Sequence, residues 1–189
     1  MQVGTGAKLD NFSKGIESFY LSGQKELNLD SKSEKWTYDL KQSGWNSFVN
    51  KSIPNKKDES WKYTNLSFLN KSAYDSIIPA DLQIQGIEVL SIKDVIDQNH
   101  SDILVCLEKF NQEVVDSFTD LNSALCEDLK IIYVPKNTKL DQAILIKQLL
   151  KQSSSTGLVL PRVFIYLDKC TYTVYLSDLF KKPKGILCC

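Results

Sequence analysis

The chain has 189 residues, 42% hydrophobic and 24% charged, a globular composition with room for one ordinary domain or a small domain plus part of another. Lys plus Arg and Asp plus Glu balance at 23 each, which gives no overall attraction to nucleic acid or to an anionic membrane. No stretch approaches the roughly 18 uninterrupted apolar residues of a membrane helix, and residues 1–10 lack the layout of a signal peptide, so a soluble, intracellular protein is expected.

Leu9, Phe12, Ile16, Phe19 and Tyr20 recur at three- and four-residue spacing and predict a first helix that fades near Gly23. Ser31 with Glu34 fits the capping-box spacing for a second helix, along which Trp36, Leu40, Trp45, Phe48 and Val49 supply apolar bulk. Ser43-Gly44 in its middle predicts a bend, and Pro54 stops it. A partly buried junction around Trp61 to Leu66 follows, then a short apolar turn through Phe68 and Leu69. Residues 87–92 alternate apolar and polar and read as a strand. Ser91 then caps a short helix holding Val95 and Ile96. One longer helix is predicted from Asp102 to about Cys126, burying Leu104, Leu107, Phe110, Val114, Phe118, Leu121 and Leu125. From Leu129 onward, residues 129–135, 143–150, 162–167 and 171–176 are short and β-rich, separated by turn residues. Helices first and strands later make the class α+β.

Candidate chemistry is sparse. The single histidine, His100, lies in a polar segment between helices and reads as a solvated loop residue. Five cysteines, Cys106, Cys126, Cys170, Cys188 and Cys189, form no CxxC pair and no disulfide framework. Cys106 and Cys126 read as buried small hydrophobes. The adjacent pair Cys188-Cys189 is a poor chelate alone. Gly4-Thr-Gly6 lacks the context of a phosphate loop. Asp58-Glu59 and Glu127-Asp128 sit beside lysines or at element ends, where solvated carboxylates are normal. Lys56, Lys57 and Lys62 lie near Trp61 and Tyr63, but local acids balance them, and the aromatics are expected to anchor packing rather than to stack bases. Catalytic, cofactor and metal residues are therefore expected to be none.

The segment Pro54-Asn-Lys-Lys-Asp-Glu59-Ser-Trp61-Lys-Tyr63-Thr64-Asn-Leu66 closely resembles the signature near the N-terminus of the SufB/SufD family, SufD in particular. Two further segments resemble that family in the same order: Phe118-Thr-Asp-Leu121-Asn122-Ser-Ala124 running on to Ile132-Tyr-Val-Pro135, and Pro161-Arg162-Val-Phe-Ile-Tyr-Leu167. Leu129 stands where the family usually has glycine, and Ala143 where proline is common.

The resemblance implies a helical and mixed N-terminal domain over residues 1–128. The first strands of a right-handed parallel β-helix would follow over 129–180, with an irregular tail at 181–189. It implies a non-enzymatic scaffold component of SUF iron–sulfur cluster assembly that works with SufB-like and SufC-like partners in the cytoplasm or plastid stroma. An Fe–S cluster would be met only indirectly, through a complete assembly complex, because the family's cluster-building positions lie beyond residue 189. Pro54, Glu59, Trp61, Tyr63, Thr64, Leu66, Phe118, Leu121, Asn122, Ala124, Pro135, Pro161 and Arg162 would then be structural anchors. An incomplete β-helix leaves an open strand edge, so self-association is expected. The alternatives are a truncated or frame-shifted product without assembly activity, or a small helical adaptor.

Overall fold

A computed structural model describes residues 11–69, 74, 76–77, 81–85, 87–113, 116–127, 129–140, 143–149 and 157–168. Its helices are α1 (Asn11–Lys25), α2 (Lys32–Lys51), α3 (Ile92–Asp97), α4 (Ser101–Glu113) and α5 (Ser117–Leu125). Its strands are β1 (Ser76–Ile77), β2 (Asp81–Gln85), β3 (Val89–Leu90), β4 (Leu129–Val134), β5 (Leu145–Leu149), β6 (Gly157–Leu158) and β7 (Arg162–Leu167). The class is α+β. The chain divides into two compact units: residues 1–79, 114–127 and 152–160 form one, and 80–113, 128–151 and 161–189 the other. Both units thus take chain from either side of residue 128.

The first unit holds α1, α2 and α5. Phe12, Ile16 and Tyr20 repeat every four residues, so they lie on one face of α1. They are buried with Trp45 and Phe48 of α2 and Leu121, Ala124 and Leu125 of α5. Tyr20 stacks on Trp45 with centroids 4.6 Å apart and planes 9° apart, and Phe12 meets Phe48 and Tyr74 edge-on at 6.4 and 5.3 Å. Strands β1 and β6 add a short parallel pair. Leu9 lies outside the described residues.

The second helix, α2, runs uninterrupted through Ser43 and Gly44. Gly44 is buried under α5. A Cβ there would stand 2.7 Å from the Asp120 carbonyl oxygen, 2.7 Å from Ser123 Cβ and 2.8 Å from Ala124 N. The missing side chain lets two backbones touch, a role that outweighs glycine's poor helix propensity of about 1 kcal/mol. The helix stops at Lys51, three residues before Pro54, and Ser52 turns the chain with φ 60°, in the left-handed region.

The capping box expected at Ser31 and Glu34 does not form. Ser31 Oγ meets Ser33 Oγ at 3.0 Å, and the Glu34 carboxylate instead accepts from the Asn28 N–H at 2.7 Å. The box appears one helix later, where Ser91 accepts from Asp94 N–H and Asp94 accepts from Ser91 N–H at 2.8 Å. The Ser91 hydroxyl, which donates to Asp94 Oδ2 at 2.6 Å, and the Ser91 N–H together hold the half-buried Asp94 carboxyl below the usual carboxylate range.

The long helix predicted over 102–126 is two helices in different units. Asp116 begins α5 as an N-cap, its carboxylate accepting from Phe118 N–H at 2.7 Å and Thr119 N–H at 3.4 Å. The apolar spacing continues across the break, so periodicity alone conceals it. Val114 lies outside the described residues.

The second unit is built on β4. Its sequence Leu-Lys-Ile-Ile-Tyr-Val buries consecutive Ile131 and Ile132, as a strand covered on both faces must. β3 pairs with it antiparallel and β7 parallel, with Leu129 opposite Arg162 and Val134 opposite Leu167. The strand expected over 87–92 is thus only the two residues of β3. α3 and α4 supply Val95, Ile103 and Leu107 to the buried set. Phe110 meets Phe164 at 6.4 Å, and Arg162 Nη2 donates to Asn111 Oδ1 at 2.6 Å. β2 and β5 form a separate antiparallel ribbon. Residues 171–176 lie outside the described residues.

Gly44→Ala should lower the unfolding free energy by about 1–3 kcal/mol through overpacking. Gly15→Ala, on α1 with nothing within 4 Å of the added methyl, should raise it by up to about 1 kcal/mol. Urea denaturation of both variants checks the opposite signs.

Tyr20 gives a second expectation. Burial pushes its hydroxyl above the ordinary tyrosine range, against a smaller lowering by Gln24, whose Nε2 donates to it at 3.0 Å. The fold therefore favours the protonated phenol. This contribution is full below about pH 10, the unfolded value, and is lost as pH rises through the folded value. Tyr20→Phe should reduce the alkaline loss of stability in denaturation curves taken across that range.

Candidate functional site

Past Ser52 the chain makes a run of tight local turns. Asn55 N–H donates to Asp58 Oδ2 at 2.7 Å, and Lys57 N–H to Asn55 Oδ1 at 3.0 Å. A single 3-10 turn, Glu59–Trp61, follows, with Trp61 N–H bonded to the Asp58 carbonyl and Thr64 N–H to that of Trp61, each at 2.9 Å. Asn65 then accepts from Ser67 N–H at 3.1 Å. Asn and Asp side chains satisfying backbone donors two or three residues away are what allow so short a segment to hold its shape without a sheet or long helix.

Trp61 is half-buried, and its ring lies 5.1 Å from that of Phe118 at 55°. That contact joins the first sequence motif to the second. Below it, Asp120 is 8% exposed and accepts from both Lys51 Nζ at 2.7 Å and Ser47 Oγ at 2.9 Å. Bonds to a charged group of this kind are worth about 1.5–3 kcal/mol each before screening, and Lys51 is one-third exposed, which reduces its share.

The end of α2, the turn and the start of α5 enclose an open cleft of about 540 Å³. Lys51 and Pro54 line one part, Asp58 to Trp61 another, and Asp116 with Ser117 the rest. The lining contains no histidine or cysteine; it offers two hydroxyls, three carboxylates, one ammonium and the Trp61 indole.

The remaining motif residues are placed variously. Leu121 and Ala124 are buried at 3% and 1%. Pro54, Leu66, Phe118, Asn122, Pro135, Pro161 and Arg162 are half-buried. Glu59 and Thr64 are exposed, and Tyr63 stands 93% exposed with only Lys62 Nζ over its ring at 5.5 Å. Tyr63 therefore takes no part in the packing, where Trp61 does. Arg162 belongs to the second unit.

His100 is half-buried, its Nε2 3.2 Å from Gln98 Oε1 and its ring 4.9 Å from Tyr133. Tyr133 in turn faces Tyr166 at 6.1 Å, and burial raises both hydroxyls above the ordinary range. Cys126 is buried and Cys106 half-buried. Cys170, Cys188, Cys189, Asp128 and residues 181–184 lie outside the described residues. Among the described residues, no three His, Cys, Asp or Glu side chains gather to hold a metal ion, and no helix is long and apolar enough to cross a membrane.

Sequence reasoning missed Lys51, Asp116, Ser117 and Asp120 as parts of one place. Asp116 ahead of Ser-Phe is the legible signal, being an N-cap residue inside an apolar repeat. Nothing local pairs Lys51 with Asp120.

Trp61→Ala should lower stability by about 1–3 kcal/mol, and Tyr63→Ala should change it by less than about 0.5 kcal/mol. Thermal melts of the two variants check this contrast.

A family model described as the SufBD protein N-terminal region matches residues 68–146, somewhat less than half of the chain. That span includes α5 and β4, and leaves out the Trp61 segment and Arg162. No curated protein and no solved structure matches the chain.

Proposed function

For a chain whose residues 68–146 belong to the SufB/SufD family, we propose a scaffold role in SUF iron–sulfur cluster assembly rather than an enzymatic one. The family match carries this reading. It falls on the Phe118-x-x-Leu121-Asn122-x-Ala124 helix and the strand leading to Pro135, the second of the three motifs. The finer reading is SufD-like, from Trp61-Lys-Tyr63-Thr64-Asn-Leu66, with SufB-like and SufC-like subunits as partners. The compartment is then the cytoplasm or the plastid stroma. The iron–sulfur cluster is cargo of the assembled complex, and none of this chain's residues is assigned to hold it.

The in-register parallel pairing of β4 with β7 supports reading residues 129–180 as the first strands of a β-helix, since parallel stacking of successive strands is how such a solenoid grows. Antiparallel β3 would then belong to the N-terminal part that leads into it.

Co-expression of the full chain with a SufB-like and a SufC-like subunit tests the proposal. A stable complex should co-elute on size exclusion and carry all three chains. Failure to join, under conditions where a SufD-like subunit joins the same two, would sink the scaffold reading. Light scattering of the chain alone tests association through an open strand edge, which a monomer at all concentrations excludes.

A further inference from the structure

The cleft beside Trp61 carries negative charge that its own lining does not neutralise. Asp58, Glu59 and Asp116 contribute three carboxylates against one ammonium, Lys51. Lys51 is already engaged, 2.7 Å from Asp120 Oδ2. Two of the carboxylates use a single oxygen in holding the backbone: Asp58 Oδ2 takes the Asn55 N–H, and Asp116 Oδ1 takes those of Phe118 and Thr119. The second oxygen of each keeps its acceptor capacity. Ser117 lines the same cleft, nine-tenths buried at 7% exposure, and its hydroxyl has no hydrogen-bond partner among the described residues. A polar group bound in the cleft can pair with that hydroxyl. Trp61 adds an indole wall and Pro54 an apolar flank.

An anion is a poor occupant. Asp116 already caps the N-terminus of α5 with its own negative charge, and the lining carries more acid than base. We propose that the cleft binds a guanidinium group, the side chain of an arginine displayed on an extended segment of a partner protein. Guanidinium matches what is present: a planar fork that bonds carboxylate oxygens in pairs while its face stacks on an indole. The ammonium of lysine, a compact and strongly hydrated charge, uses the wall less well. The volume, about 540 Å³, lies within the usual range for a binding pocket. This inference stands on the cleft alone and is independent of the assembly role.

The test is a titration of the full chain with acetyl-Gly-Arg-Gly-amide, its citrulline counterpart and its lysine counterpart. It follows the Trp61 indole N–H by NMR, identified by the signal lost in Trp61→Phe. The arginine peptide should shift that signal saturably, the lysine peptide should bind severalfold more weakly, and neutral citrulline should not saturate. Glu59→Gln with Asp116→Asn should weaken arginine binding at least tenfold at unchanged melting temperature, because asparagine caps a helix as well as aspartate does. Glu59→Gln alone, at an exposed position, should weaken it severalfold. No shift at millimolar arginine peptide, an equal response to citrulline or lysine, or no effect of the charge-removing variants would each overturn the proposal.

Discussion

The first unit depends on two helices being allowed to touch at Gly44. With no side chain there, the backbone of α5 at Asp120 and Ala124 comes within what would be overlap for any other residue. At that separation the short side chain of Asp120 can reach both Ser47 and Lys51, one and two turns further along α2. Leu121, Ala124 and Leu125 are seated against Trp45 and Phe48 on the same approach. An α2–α5 spacing wider by one methyl group would loosen the ion pair and open the apolar seam together, so the polar and apolar contacts are coupled through one absent Cβ.

The same constraint places the cleft. Asp116 starts α5 where its first turn can meet the chain leaving α2, and Phe118 projects from that turn to the ring of Trp61. The junction is then held at two points. Asn55, Asp58 and Asn65 set its shape from within by bonding nearby backbone N–H groups, and Trp61 ties it to α5. The space left between these supports is lined by the supporting side chains Asp58, Trp61 and Asp116 together with Lys51, Pro54, Glu59, Ser60 and Ser117.

Much of the architecture is legible in the sequence because burial follows period. The four-residue repeat of Phe12, Ile16 and Tyr20 and the apolar residues Leu129, Ile131, Ile132 and Val134 of β4 both mark which positions are covered. The failures have physical causes of the same simplicity. Apolar spacing carries on from Leu107 and Phe110 to Leu121 and Leu125, and a repeat cannot report that the chain has passed from one unit to another. Propensity, a local quantity, cannot show that Gly44 packs against Asp120, Ser123 and Ala124 on a distant helix. Ser31 and Glu34 have capping-box spacing, yet Glu34 finds the Asn28 N–H. The cleft is least legible because its residues come from two distant segments, and only Asp116 signals its part locally.

Tyr63 separates packing from pattern in the Trp61 segment. If the run from Glu59 to Leu66 existed to fill a core, its two aromatics would be covered together. Instead Trp61 packs and Tyr63 stands almost wholly in water, with Glu59 and Thr64 also exposed. Exposed aromatic surface gains nothing for the fold by the hydrophobic effect, and the turns of this segment are made by Asn55, Asp58 and Asn65, which do not need Tyr63. The segment is therefore a turn held by its own Asn and Asp side chains, tied to α5 through Trp61, with Tyr63 left outside that packing.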